Sequence, residues 1–158
     1  FEAGDAIALD GITLTSFSVC HDAADPVGYV IEADGVKLGI ASDLGRVSQL
    51  VKTRLQGAHA LLLESNYCPR MLQTGPYPAM LQQRIRSHLG HLSNADMNSL
   101  LAELLHDKLK IVVLVHLSEE NNNPELAHEM AARVLARHGA QLHVAQRHKP
   151  TGVFTVLP

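Results

Sequence analysis

Four apolar runs of strand length, each closed by a histidine or a carboxylate, constrain this chain more than any other feature. They are Ile12–Val19 before His21, Val36–Ala41 before Asp43, Ala58–Leu63 before Glu64 and Ile111–Val115 before His116. Side chains at the carboxyl ends of neighbouring strands converge on one rim of a sheet, where sites are usually built. No run approaches the roughly 20 apolar residues that a membrane-spanning helix needs. With 46% hydrophobic and 18% charged residues, the 158-residue chain has the profile of one globular domain.

Helical patterns fill the gaps between the later runs. Val47, Leu50, Val51 and Leu55 fall on a helical stripe, as do Met97, Leu100, Leu101, Leu104 and Leu105. Ser93 or Asn94 caps the second of these. Ala79–His88 reads as a short helix, and Asn123-Pro124-Glu125 opens another that runs to about Arg137. Residues 6–45 read as strands, with Asp10-Gly11 and Asp34-Gly35 as turns; the second lies between two apolar runs and marks a hairpin. Residues 69–78, with three prolines and Gly75, read as a loop, and Gln141–Ala145 with Val153–Val156 as a closing pair of strands. The order predicts a mixed α/β fold in which helices cover a sheet.

A net charge of −3 supplies no bulk attraction for nucleic acid. Local basic groups exist: Arg70, Arg84, Arg86 and His88 in one stretch, Arg147, His148 and Lys149 in another. Cys20 and Cys68 form no C-x-x-C pair, which fits a reducing, cytoplasmic setting. No basic, apolar, small-residue segment opens the chain, so no secretory signal is expected. Ten histidines are the abnormal count. His21, Asp43 and His116 have the right types to hold Zn²⁺, Mn²⁺ or Fe²⁺, although a single histidine at a strand end is more often merely structural.

The segments around these residues narrow the reading. His21-Asp22 through Gly28-Tyr29, Ser42-Asp43-Leu44-Gly45, Glu64-Ser65-Asn66, Gly75-Pro76-Tyr77-Pro78, Gly90-His91-Leu92-Ser93-Asn94, His116-Leu117-Ser118 and Asn121–Ala127 occur in this order. The ordered set resembles the metallo-β-lactamase superfamily and, within it, a small bacterial exonuclease-like branch known as YycJ or WalJ. The resemblance implies an αββα sandwich, of which residues 1–158 would form the C-terminal portion as a single domain. It implies that His21, Asp43 and His116 bind metal, Asp43 bridging two divalent ions (Zn or Mn). The superfamily's upstream H-x-H-x-D-H signature occurs nowhere in the chain. A missing N-terminal segment or an oligomer partner is therefore expected to supply the other ligands and to cover an exposed sheet face.

In an intact site of this kind, two ions roughly 3.5–4 Å apart hold a hydroxide that attacks phosphorus. His91 is the candidate acid for the leaving oxygen, with Glu64 holding its other ring nitrogen. Ser93 and Asn94 could touch a phosphate at a helix N-terminus, though capping alone explains both. The expected activity is metal-dependent hydrolysis of nucleic-acid phosphodiesters, as a DNA exonuclease. A phosphodiesterase for small cyclic substrates and a catalytically incomplete binding or regulatory fragment are the alternatives.

Overall fold

The two Asp-Gly pairs organise the first half of the chain in the computed structural model, which describes residues 1–157. Strands β1 (Ala6–Leu9) and β2 (Ile12–Ser18) are joined by Asp10-Gly11, and β3 (Val27–Ala33) and β4 (Val36–Ala41) by Asp34-Gly35. Both central residues of each turn have positive φ: 45° and 87° in the first, 49° and 77° in the second. That is the two-residue hairpin turn whose twist matches its strands, and only Gly, Asn or Asp adopts it at low cost. The registers Leu9↔Ile12 and Ala33↔Val36 close both hairpins tightly.

From β4 onward the pairing is parallel. Strands β5 (Ala60–Glu64), β6 (Ile111–Val115) and β7 (Gln141–Val144) follow in order, completing a seven-stranded sheet whose strands lie in chain order among the described residues. Parallel neighbours require crossovers. Helix α1 (Gln49–Leu55) joins β4 to β5, α2 (Pro69–Thr74), α3 (Ala79–Ile85) and α4 (Asn94–Leu104) lie between β5 and β6, and α5 (Pro124–Val134) joins β6 to β7. Ser48, Ser93 and Asn123 each cap a helix by accepting a backbone N–H, from Val51, Asp96 and Leu126.

One sheet face is thoroughly buried. Leu61, Leu63, Val112 and Leu114 point into a core with Val51 and Leu55 of α1, Met97, Leu100, Leu101 and Leu104 of α4, and Ala127 and Ala131 of α5. The opposite face is thinner. Ala60, Ile111 and Val113 are buried there, but Leu38, Leu62 and Val115 are only partly covered, with Phe154 and Val156 packed beside them. No helix among the described residues is long and apolar enough to cross a membrane.

Three expectations need correction. Residues 69–74 are helical, because Pro69 occupies the first turn, where no donor is required, and Pro76 and Pro78 lie beyond its end. Val153–Val156 forms no strand; Phe154 and Val156 pack on the thin face of the sheet instead of pairing with β7. The helices expected to reach His88 and Arg137 end at Ile85 and Val134.

His59, at the start of β5, is 6% exposed. Its Nδ1 accepts the Lys37 N–H at 3.0 Å, while Nε2 is buried without a partner. Burial, then the charges of Lys108, His106, Lys110 and Lys37, hold its pKa below the usual histidine value. The unfolded chain therefore takes up this proton more readily than the folded one, and the contribution of His59 to stability falls as pH drops below about 6.5. Denaturant midpoints at pH 7.5 and pH 5 should differ more for the wild type than for His59→Gln; equal losses would show that His59 carries none of the pH dependence.

Candidate metal centre

Among the described residues, two of the four non-glycine residues with positive φ are Asp43 (56°) and His116 (57°); the other two are the hairpin aspartates. Asp and His are among the residues that tolerate this region, yet each such position costs of order 1–3 kcal/mol and persists only where its surroundings fix it. Both stand just past a strand end, Asp43 after β4 and His116 after β6. The left-handed residue turns the chain sharply and leaves its side chain on the rim.

Three loops are stitched together there. Gly45 N–H donates to Cys20 O at 2.7 Å, and Asp22 N–H to Leu89 O at 3.0 Å. Gly45 and Gly90 make the contact possible. A Cβ on Gly45 would lie 2.3 Å from His88 O, and one on Gly90 would lie 2.2 Å from Arg84 O. The loops bearing His21, Asp43 and His91 thus meet backbone to backbone.

Glu64 is the hub. Its side chain is 0% exposed. Oε2 accepts the Leu44 N–H at 2.6 Å, and Oε1 accepts Nδ1 of His91 at 2.7 Å and Nδ1 of His116 at 3.0 Å. Burial pushes its pKa up, but the bonds from His116, His91 and Leu44 outweigh this and hold it below the ordinary value. Glu64 is therefore an ionised acceptor, and both facing Nδ1 atoms carry protons. The bond to Glu64 in turn raises the pKa of His116 against the opposing effect of burial. His21 Nδ1 likewise meets an acceptor, Gly90 O, at 2.9 Å.

The consequence is uniform. All three histidines spend Nδ1 on a protein acceptor, so in the neutral ring Nε2 keeps its lone pair for a metal or substrate. Asp43 Oδ1 lies 3.7 Å from His21 Nε2, 3.7 Å from His91 Nδ1 and 3.5 Å from His116 Nδ1. The His91 ring centroid is 5.0 Å from that of His21 and 5.1 Å from that of His116. Donor atoms of Asp43, Glu64, His91 and His116 lie within 4.8 Å of one another, a spacing that could hold an ion. Glu64 has both oxygens occupied, so Asp43 and the histidine Nε2 atoms are the available donors. Imidazole nitrogen with one carboxylate suits a borderline divalent cation.

The expected residues thus separate into two groups. His21, Asp43, Glu64, His91 and His116 share one rim. Ser93 and Asn94 are 3% and 0% exposed and committed elsewhere. Ser93 Oγ accepts the Asp96 N–H and donates to Asp96 Oδ2. Asn94 forms a reciprocal amide pair with Asn122, both N–H···O distances 2.9 Å, and accepts Ser65 Oγ at 2.7 Å. As folded, neither side chain is free to meet a phosphate.

This buried network was not legible in the sequence, where Asn123 reads as the opening of a helix. Asn122 Nδ2 also donates to Ser65 O, and Asn66 Nδ2 to His116 O at 2.8 Å. It ties the β5 exit, the start of α4 and the His116 turn together from behind. An asparagine repeated before a helix was the only clue.

This fold and rim define a metallo-β-lactamase-type domain. The family profile "Beta-lactamase superfamily domain" matches residues 1–117, and the chain belongs to that superfamily. Over 139 residues it is 38% identical to the protein named exodeoxyribonuclease YycJ of Bacillus anthracis, an alignment covering 88% of this chain and 53% of that protein. The chain thus spans about half the length of the curated relatives it matches. Among solved structures, the metallo-beta-lactamase fold protein YhfI from Bacillus subtilis superposes with a TM-score of 0.65 at 14% identity, over 92% of this chain and 52% of that one. Zn(2+)-bound PqqB from Methylobacterium extorquens gives 0.64 at 23%, over 97% and 55%. These likenesses concern the fold.

Glu64→Gln tests the hub. The amide oxygen is needed by Leu44 N–H, so the NH₂ would face both imidazoles and drive their protons onto Nε2. Metal affinity should fall roughly 10–100-fold, the usual loss when a group orienting a ligand is removed, with the circular dichroism of the folded chain retained. Unchanged affinity would remove Glu64 from this role.

Proposed function

We propose that the chain carries the C-terminal half of the active site of a metal-dependent phosphodiesterase that degrades nucleic acid, acting as a DNA exonuclease. The observation that carries this reading is the rim itself: three histidines with Nδ1 engaged and Nε2 available, grouped around Asp43 above a buried, ionised Glu64. The identity to a relative named as an exodeoxyribonuclease supports the choice of substrate.

In this reading His21, Asp43 and His116 would hold two divalent ions, zinc or manganese. Such ions supply a nucleophilic hydroxide near neutral pH and neutralise charge on phosphoryl oxygens. The remaining ligands come from a further segment or a partner, which also covers the thin face at Leu38, Leu62 and Val115. The proposed setting is cytoplasmic, in keeping with Cys20 and Cys68 as free thiols.

His91 gives its Nε2 proton to the leaving oxygen. Glu64 is suited to support that role, because an anion at Nδ1 fixes the orientation of the ring. After release, the imidazole regains its proton from solvent; its side chain is 18% exposed.

In the full-length protein loaded with manganese, His91→Ala should lower turnover on DNA about 10²–10⁴-fold, the range for loss of a general acid, while metal content stays at the wild-type level. Loss of metal in that variant would make His91 a ligand instead. An unaltered rate would remove it from the chemistry.

A further inference from the structure

Basic side chains that the sequence separates by some sixty residues line the same cavity. Arg84 of α3 and, beyond β7, Arg147 and His148 line a space of about 1230 Å³ that also reaches His91 and His116. That volume exceeds the roughly 300–1,000 Å³ of an ordinary small-ligand site. Tyr77 and Leu81 contribute an apolar wall, and His128 a further imidazole.

Both arginines are braced. Asp22 engages Arg84 through Nε and Nη2, the latter at 2.9 Å. Arg147 Nη1 lies 3.2 Å from Glu119, and Nη2 donates to Leu117 O at 3.3 Å. Five donors sit on each guanidinium, so the Nη1 hydrogens of Arg84 and the Nε–H of Arg147 remain for an anion. Their side chains are 56% and 49% exposed. The cavity therefore joins the metal rim to two pre-set cationic heads across a partly apolar space. A chain of phosphates carrying planar bases has this alternation of charged and apolar groups.

Building on the proposed nuclease function, we propose that this cavity is the binding cleft for a single DNA strand, with Arg84 and Arg147 each meeting one backbone phosphate and unstacked bases lying against Tyr77 and Leu81. Glu119 and Glu125 also line the cleft, so the electrostatic attraction is modest. Two phosphate contacts on a single strand give a slope of log K against log salt of about −1.4.

The test uses the full-length, manganese-loaded protein, a phosphorothioate single strand that resists cutting as the binding probe, and bis(p-nitrophenyl) phosphate as a small ester. Arg147→Ala and Arg84→Ala should each weaken strand binding roughly three- to tenfold and flatten the salt slope by about 0.7, whatever the base sequence. Arg147→Ala should leave small-ester hydrolysis and metal content unchanged. Glu119→Gln, which releases Arg147, should tighten strand binding. Wild-type slopes in both arginine variants, or a strand that does not bind while the small ester is cut, would overturn the cleft and leave the hydrolase intact. A wild-type protein that holds no metal and cuts neither substrate would instead overturn the function on which the cleft rests.

Discussion

A single buried carboxylate governs this structure's chemistry. Glu64 has no exposed surface, and an uncompensated charge there would be costly. Three donors meet it: a backbone N–H from the loop after β4 and two imidazoles from elements 27 and 52 residues away in sequence. The compensation that keeps Glu64 charged also fixes the rings. Stability and ligand orientation are thus one set of hydrogen bonds, and losing any of them leaves a buried charge under-satisfied.

Around that hub the backbone is placed by steric permission as much as by attraction. Asp43 and His116 occupy left-handed positions where most side chains are strained. Gly45 and Gly90 let two loops approach within a distance that excludes a methyl group. The amide pair of Asn94 and Asn122 holds the reverse side of the same loops. A rigid rim suits a site in which donors must be preset before an ion arrives.

Much of the architecture is legible in the residues themselves. The Asp-Gly turns admit little else, the stripe at Met97, Leu100, Leu101 and Leu104 faces the core, and the β-branched run Ile111–Val115 is a central strand. The polar groups closing the apolar runs do meet on one rim. Other features depend on distance relations that no local pattern encodes. Pro69 as the opening of a helix cannot be told from Pro69 in a loop until Leu72 is seen buried with Tyr67 and Ile85. Asn94 reads as a cap exposed to ligands until Asn122, 28 residues on, closes over it. Val153–Val156 has the composition of a strand, yet Phe154 and Val156 cover the sheet face instead.

Protein acceptors hold Nδ1 of His21, His91 and His116 and thereby reserve Nε2 for the reaction side. Long-range ¹H–¹⁵N spectra of the zinc-loaded, full-length protein read this directly. A protonated Nδ1 on all three rings, metal-shifted Nε2 resonances for His21 and His116, and no metal shift for His91 are expected. Metal-shifted Nδ1 resonances on His21 or His116, or a protonated Nε2 on either of them, would contradict it.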